Sequence, residues 1–215
     1  MRYPRAMAQS GEHLSFGRTG DEPRTGCIEV VCGSMFSGKT EELLRRLKRA
    51  KLARQRVQLF KPKVDNRYDE SKVVTHEGLA ADALPVAGIE ELLMHVSPDT
   101  VVVGIDEAQF FGDEIVHAAD ALANRGVRVI AAGLDQDYMG RPFGSMPALM
   151  AIAEFVTKLH AICSVCGAQA SRSQRIVGAQ GQLFVGGAAD YEARCRRCYV
   201  NQVIDRNERS GADRG

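Results

Sequence analysis

The chain has 215 residues, which is enough for one full domain with at most a small appended module. Its 45% hydrophobic and 26% charged residues are typical of a globular protein and exclude a wholly disordered or fibrous chain. The 28 basic residues nearly balance the 27 acidic ones, so the chain lacks the basic excess that favours nucleic acid as a partner.

The ends of the chain differ from its middle. Residues 1–26 and 205–215 are polar and lack a sustained period, so we predict that they are flexible tails. No apolar run is long enough to span a membrane, and the N-terminus lacks the apolar segment of an export signal. We therefore expect a cytoplasmic protein without a membrane partner.

Between the tails, short apolar runs alternate with segments of helical period. Strands are predicted at 27–32, 56–60, 72–75, 100–105 and 127–132, and helices at 39 to about 55, 89–95 and 114–124. Strands that alternate with helices indicate a mostly parallel sheet covered on both faces, and hence an α/β fold.

The pattern changes after residue 133 to a glycine-rich loop and then a helix. We place a domain boundary near residue 150, between a nucleotide-binding domain at 27–150 and a smaller one at 151–204. A domain as small as the second normally needs a staple such as a structural metal.

A glycine-rich segment with the pattern GxxxxGK[ST] joins the first predicted strand to the first predicted helix. Its residues are Gly33, Ser34, Met35, Phe36, Ser37, Gly38, Lys39 and Thr40. Glycines let successive backbone N–H groups turn toward phosphate oxygens, and the N-terminus of the helix adds partial positive charge. Lys39 would supply a charge for the β- and γ-phosphates, and Thr40 a hydroxyl for Mg²⁺. The segment therefore predicts an ATP site.

Two acids, Asp106 and Glu107, follow the apolar run at 100–105. An acid at the carboxyl end of a parallel strand lies on the edge of the sheet where ligands bind. Asp106 is expected to hold Mg²⁺, and Glu107 to orient or deprotonate a nucleophile. The alternatives are a strand-end cap for Asp106 and a solvated neighbour for Glu107. Arg67 and Arg141 are candidate cations for the transferred phosphate, although exposed arginines are more often only solvated.

Four of the six cysteines form two CxxC pairs. Cys163 and Cys166 make the first pair, and Cys195 and Cys198 make the second. Four thiolates suit zinc in a closed tetrahedral site, and because no position is left for water we expect this zinc to be structural. Free structural thiols and an iron–sulfur cluster are the alternatives.

The chain closely resembles the type II thymidine kinases in a series of segments that occur in one order. These are GSMFSGKT, DNRY, DEAQFF, GLDQDYMGRPFG and the two CxxC pairs around GGAADY. The resemblance covers about residues 27–200. It implies ATP-dependent phosphorylation of thymidine, a RecA-like domain, and a small zinc-bound lasso domain that closes over the nucleoside. It also implies a homotetramer and feedback inhibition by dTTP.

The resemblance also implies roles for residues at matching positions. Glu107 would be the general base that takes the proton of the 5′-hydroxyl. The residues implied near the phosphates and Mg²⁺ are Lys39, Thr40, Asp106, Asp65 and Arg67. The residues implied around the nucleoside are Met35, Gln109, Phe110, Leu134, Tyr138, Phe143, Ser173, Phe184, Val185, Gly186 and Tyr191. The segment 184–186 would meet the thymine edge through its backbone.

Two other functions stay open at this point. The first is an ATPase that has a phosphate-binding loop and a separate zinc module, and the zinc module binds nucleic acid. The arginines that keep this hypothesis open are Arg172, Arg175, Arg194, Arg196 and Arg197. The segment GGAADY speaks against it, because it is neither basic nor rich in aromatic residues that stack on bases. The second is a nucleotide sensor that binds ATP or another nucleotide without turnover and would have no need of Glu107 as a base.

Overall fold

The computed structural model describes residues 25–63, 72–74, 80–176 and 190–200. Its strands are β1 (Cys27–Gly33), β2 (Val57–Pro62), β3 (Lys72–Val74), β4 (Ala80–Asp82), β5 (Leu84–Val86), β6 (Val102–Ile105), β7 (Arg128–Gly133), β8 (Phe155–Leu159), β9 (Ala161–Ile162), β10 (Gln169–Ala170), β11 (Arg172–Arg175) and β12 (Tyr191–Arg194). Its helices are α1 (Lys39–Leu52), α2 (Ile89–His95), α3 (Glu114–Asn124), α4 (Met146–Ile152) and a 3₁₀ turn, η1 (Ala108–Phe110). Almost all of both predicted tails lies outside the described residues.

Six strands form one sheet in the order β5-β2-β6-β7-β1-β8, and every pairing in it is parallel. The central strands β1, β6 and β7 are mostly apolar because both of their faces are buried, although β1 contains Glu29 and β7 begins with Arg128. This arrangement confirms the predicted α/β fold. In the described part of the chain, no helix is long and apolar enough to cross a membrane.

Helices cover both faces of the sheet, as predicted. Alternate side chains of a strand point to opposite faces, so Val30 and Cys32 of β1 lie in the core shared with α2, α3 and α4. Val31, between them, lies in the other core with Leu43 and Leu47 of α1. Their spacing of four residues places both leucines on one side of α1.

Two element boundaries differ from the predictions for local reasons. Helix α1 ends at Leu52 rather than near residue 55, because Arg54 has a left-handed φ of 57°. The backbone N–H of Gln55 then donates to the carbonyl oxygen of Ala50 at 3.1 Å and closes the helix end. The strand predicted at 72–75 corresponds to β3, which pairs antiparallel with β4 in a separate two-stranded sheet rather than in the main sheet.

The main sheet continues past residue 150, where a domain boundary was predicted. Strand β8 pairs with β1 in parallel and places Leu159 opposite Gly33. The apolar pattern does not reveal β8 because the polar residues Thr157 and Lys158 interrupt it, and as an edge strand β8 leaves Phe155 and Val156 exposed. The small module that carries the cysteines therefore begins directly after the sixth strand of the sheet.

This small module consists of two two-stranded sheets, β9 with β10 and β11 with β12. The core of the module contains small side chains, namely Ala161, Cys163, Ala170, Ala193 and Cys195. Alanines and cysteines bury little apolar area, so this core stabilises the module weakly. The module therefore fits the expectation that it needs a metal as a staple.

A buried charge network ties helix α1 to the sheet. Glu29 of β1 accepts hydrogen bonds from Arg46 of α1 at 2.7 Å and from Arg128 of β7 at 2.5 Å. Arg46 also donates to Glu42 at 2.8 Å and to Thr157 of β8 at 2.9 Å. Burial alone would raise the pKa of Glu29, but its two arginine partners outweigh this effect and hold the pKa below its ordinary value of 4.5.

We expect Glu29→Gln to lower the free energy of unfolding by about 3 kcal/mol, because it leaves the buried guanidinium of Arg46 without its sheet partner. Urea unfolding followed by circular dichroism would measure the change. Arg45→Ala is the matched control: it removes an arginine that is 47% exposed and pairs with Glu42, and should cost at most about 1 kcal/mol.

The pH dependence of the free energy of unfolding provides a second test of the Glu29 network. Since the folded-state pKa of Glu29 lies below 4.5, its stabilisation is present above about pH 4.5 and is lost as the pH falls through the folded-state value. The Glu29→Gln protein should therefore lose less stability than the wild type on acidification. If Glu29→Gln and Arg45→Ala lowered the free energy of unfolding equally at neutral pH, the result would contradict a buried network around Glu29.

Candidate active site

The loop between β1 and α1 has a backbone that requires glycine at both ends. Gly33 has a φ of 148° and Gly38 a φ of 81°. A Cβ atom on Gly33 would lie 2.5 Å from the carbonyl oxygen of Leu159 in β8, so a side chain there has no room. Phe36, between them, also has a left-handed φ, of 63°. The loop is thus tightly curled directly before the N-terminus of a 14-residue helix.

Lys39 folds back over this loop. Its ammonium donates to the carbonyl oxygen of Ser34 at 2.8 Å, and the Ser37 hydroxyl donates to the same oxygen at 2.8 Å. Burial lowers the pKa of Lys39, while the nearby carboxylates of Glu107 and Asp106 oppose this effect. The loop therefore holds a cation beside the two acids that follow β6.

Asp106 and Thr40 bring two side-chain oxygen groups together. The Thr40 hydroxyl donates to Asp106 Oδ2 at 3.2 Å and so connects the start of α1 to the end of β6. Burial, and then the negative charge of Glu107, raise the pKa of Asp106 to about 7. A buried carboxylate beside a hydroxyl and a second carboxylate is a donor set that suits Mg²⁺. A divalent cation there would favour the ionised form of Asp106.

Glu107 has a strained backbone. Its φ of 50° and ψ of 42° are left-handed, which is uncommon for a residue with a Cβ and costs on the order of 1 kcal/mol. The turn η1 holds this conformation, because the N–H of Phe110 donates to the Glu107 carbonyl oxygen at 3.1 Å. Strain of this kind concentrates at functional sites.

Gln109 connects Glu107 to the loop after β7. Its side-chain oxygen accepts the backbone N–H of Leu134 at 3.0 Å, and its amide nitrogen donates to Glu107 Oε2 at 2.5 Å. A backbone N–H can only donate, so this contact fixes which end of the amide faces the carboxylate. Gly133 leaves room for the arrangement, since a Cβ there would lie 2.6 Å from the Gln109 oxygen. Gln109 therefore orients Glu107, a role that its position in the sequence does not reveal.

Two pairs of the residues predicted around the nucleoside are in contact. The rings of Phe110 and Phe143 meet edge to face with centroids 5.8 Å apart. The Ser173 hydroxyl accepts the backbone N–H of Met35 at 3.0 Å, which joins β11 to the phosphate loop. Tyr191 is buried on β12. The predicted residues Asp65, Arg67, Phe184, Val185 and Gly186 lie outside the described residues.

Arg175 contacts a predicted site residue in a way that the sequence analysis missed, because it was considered only as part of a basic surface. It is fully buried on β11, and its guanidinium lies 5.0 Å from the centre of the Tyr138 ring. Arg194 is also buried and donates to Glu192 at 2.7 Å. Arginines engaged in this way do not form a surface for nucleic acid.

Arg141, the second candidate cation, points along its own loop. Its Nε lies 3.7 Å from Asp137 Oδ2, and its guanidinium contacts the sulfur of Met139. The side chain is 58% exposed. These contacts lie within its own loop and give no support to a role of Arg141 in binding phosphate.

The four cysteines of the CxxC pairs form one cluster, with their sulfur atoms all within 4.8 Å of one another. The sulfurs of Cys166 and Cys195 are 3.7 Å apart. A tetrahedral zinc with Zn–S bonds of about 2.3 Å requires sulfur separations of about 3.8 Å, so the spacing fits. Desolvation raises the pKa of Cys163, but backbone N–H groups around its sulfur outweigh this effect and lower it to about 6. The cluster can therefore hold a metal ion.

Comparison with known proteins agrees with this geometry. The family model for thymidine kinase matches residues 26–199. The chain is 58% identical over 174 residues to the thymidine kinase of a Rhodothermus species, covering 81% of each protein. It is 56% identical over 178 residues to the thymidine kinase of Bdellovibrio bacteriovorus, covering 83% of this chain and 87% of that protein. These matches confirm the resemblance found in the sequence: the chain belongs to the thymidine kinase family.

Proposed function

We propose that the chain transfers the γ-phosphate of ATP to the 5′-hydroxyl of thymidine and releases dTMP and ADP. The observation that carries this proposal is the carboxylate of Glu107, held by Gln109 beside the pair of Thr40 and Asp106. A phosphate-binding loop alone serves many ATPases. An oriented carboxylate next to it adds the base that an alcohol nucleophile needs.

The phosphate side of the reaction uses the loop at 33–40. Its backbone N–H groups and the N-terminus of α1 would bind the phosphate oxygens, and Lys39 would exchange its contact with the Ser34 carbonyl for the β- and γ-phosphates. Thr40 and Asp106 would hold Mg²⁺. The metal supplies positive charge that offsets the charge on the transferred phosphoryl group.

The nucleophile side uses Glu107. Gln109 occupies Oε2, which leaves Oε1 to accept the proton of the 5′-hydroxyl. As this proton moves to Glu107, the 5′-oxygen forms its bond to the γ-phosphorus. The bond from that phosphorus to the bridging oxygen breaks, and ADP leaves with the electron pair.

The nucleoside would lie among residues that the two parts of the chain contribute. Phe110 and Phe143 offer an aromatic wall that suits a flat base. Met35, Leu134, Tyr138, Ser173 and Tyr191 complete this group in the proposal. Asp65 and Arg67 near the phosphates, and the segment 184–186 at the base, remain predictions from the resemblance.

Finer features belong to the same proposal. We assign the cysteine cluster to structural zinc, because four thiolates at this spacing suit it. Reduced thiolates also favour a reducing compartment such as the cytoplasm. Family membership supports feedback inhibition by dTTP and a homotetramer, and the exposed apolar side chains of edge strand β8, Phe155 and Val156, suit a contact between subunits.

Glu107→Gln should lower kcat by about 10²- to 10⁴-fold, because it removes the base and preserves the shape of the side chain. Thymidine-dependent formation of ADP from Mg·ATP measures the effect. Glu114→Gln, which neutralises an exposed glutamate at the start of α3, is the matched control and should retain activity. Full activity in Glu107→Gln would contradict the assignment, and stimulation by single-stranded DNA instead of thymidine would favour the nucleic-acid alternative.

Gln109→Met should lower kcat by about 10- to 100-fold, because a carboxylate that is no longer oriented spends less time in line with the hydroxyl. Steady-state kinetics of the two single variants and the double variant would test whether Gln109 acts through Glu107. In the Glu107→Gln background, Gln109→Met should add little further loss. Independent, multiplicative losses would show that Gln109 acts by another route.

Removing the metal with a strong chelator should raise KM for thymidine more than KM for ATP, because the cysteines lie in the module and the phosphate loop lies in the main sheet. Elemental analysis before treatment should find one zinc per chain. Iron in place of zinc would contradict the metal assignment. Equal rises in both KM values would contradict the division between the two parts.

A further inference from the structure

The loop at 134–143, between β7 and α4, is folded around one buried aspartate. We name it the nucleoside loop because it carries Tyr138. Asp137 Oδ1 accepts the backbone N–H groups of Met139 and Arg141, both at 2.9 Å. An antiparallel bridge between Gln136 and Pro142 closes the loop at its base. The loop is thus a compact unit that can be held or released as a whole.

Tyr199 connects the cysteine cluster to this loop. It directly follows Cys198, and its backbone N–H donates to the carbonyl oxygen of Cys195 at 3.0 Å. Its hydroxyl donates to the backbone carbonyl oxygen of Tyr138 at 2.6 Å. A residue adjacent to a metal ligand therefore contacts the tip of the nucleoside loop, 61 positions away in the sequence.

Arg172 of β11 makes a second connection. Its Nη1 donates to the side-chain oxygen of Gln136 at 2.7 Å and to the carbonyl oxygen of Gly140 at 3.3 Å. Its guanidinium lies 5.6 Å from the centre of the Tyr199 ring. Arg172 also pairs in register with Arg194, which donates to the carbonyl oxygen of Cys198 at 3.1 Å. The two contacts on the loop are therefore linked to each other and to the cluster.

The nucleoside loop and the small module pack closely against each other at Gly140 and at Tyr138. Gly140 has a φ of 74°, and a Cβ atom there would lie 2.8 Å from Arg172 Nη1 and 3.4 Å from the Tyr199 hydroxyl. Arg175, on the same strand as Arg172, covers the ring of Tyr138. The module therefore holds both the backbone and the ring of Tyr138.

We propose that Tyr199 and Arg172 are positioning residues that couple the cysteine cluster to the nucleoside loop. With its metal bound, the cluster fixes Cys195 and Cys198 and therefore the direction of the Tyr199 side chain. Without the metal, the same hydrogen bond to Tyr138 would first require the chain around Tyr199 to be ordered, which costs conformational entropy. This inference rests on the proposed function, because it takes Tyr138 to meet the nucleoside.

The coupling acts in both directions. If the bound metal favours the arrangement of Tyr138 that binds thymidine, then thymidine must favour retention of the metal by the same factor. A merely structural role of Tyr199 would change the stability of the module without making the metal affinity sensitive to thymidine. The metal affinity thus distinguishes the two roles without any measurement of catalysis.

The test uses the full-length zinc-loaded protein and the variant Tyr199→Phe, which removes one oxygen and keeps the ring below Arg172. The partition of zinc between the protein and a chromogenic chelator is measured at equilibrium with and without saturating thymidine, in the absence of ATP. In the wild type, thymidine should raise the apparent affinity for zinc about fivefold, the factor that one net hydrogen bond supplies. In Tyr199→Phe this factor should approach one, and KM for thymidine should rise about fivefold with kcat and KM for ATP little changed.

Arg196→Ala is the matched control, because it changes an exposed residue between Cys195 and Cys198. It should preserve the effect of thymidine. Arg172→Met should weaken that effect as Tyr199→Phe does, and Arg172→Lys should restore part of it by keeping a donor near Gln136. The Arg172 variants also carry the test if Tyr199→Phe fails to load zinc.

Two results would overturn the coupling: a wild-type affinity for zinc that does not respond to thymidine, or an equal response in the wild type, Tyr199→Phe and Arg172→Met. Failure of the proposed function gives a different result, since the wild type itself would then show no thymidine-dependent formation of ADP.

Discussion

The candidate active site depends on the parallel alignment of three adjacent strands, β6, β7 and β1. Their register places Ile105 opposite Ala131 and Cys32 opposite Gly133, so the segments that follow them emerge at one edge of the sheet. The phosphate loop, the two acids and the nucleoside loop are therefore brought together by backbone hydrogen bonds before any side chain is considered. Because parallel strands expose their carboxyl ends on the same side, a fold of this kind offers a ligand site at that edge.

Side chains then give this edge its particular chemistry. Gln109 connects the acid after β6 to the backbone after β7, and Thr40 connects α1 to Asp106, so each candidate catalytic group is fixed by a neighbouring element. The small module adds the contacts of Arg172, Arg175 and Tyr199 with the nucleoside loop. Its own core of alanines and cysteines buries little apolar surface, so the order of these contacts depends on the cysteine cluster. In the proposed coupling, a metal held by this cluster would act on the nucleoside loop through these contacts.

The sequence predicts those parts of the structure whose signals are local. The mostly apolar runs of β1, β6 and β7 arise from burial on both faces, and the cysteine spacing identifies the cluster. Edge strand β8 escapes prediction because the polar residues Thr157 and Lys158 interrupt its apolar residues. Long-range contacts leave no local signal either: an arginine that covers a tyrosine ring and an arginine in solvent look the same in a sequence, as Arg175 shows. The position of Glu107 after a strand and the resemblance to a family both predict its role as a base, but the hydrogen bond from Gln109 to its carboxylate is visible only in the structure.

The central claim is that the phosphoryl group passes from ATP to an alcohol held beside Glu107. Phosphorus nuclear magnetic resonance of the full-length protein with Mg·ATP and thymidine follows every phosphorus atom and tests this claim most directly. The account predicts that a phosphate monoester and ADP appear in equal amounts, and that little inorganic phosphate forms whether or not thymidine is present. Release of inorganic phosphate at the same rate with and without thymidine would contradict it, because the site would then transfer the phosphoryl group to water.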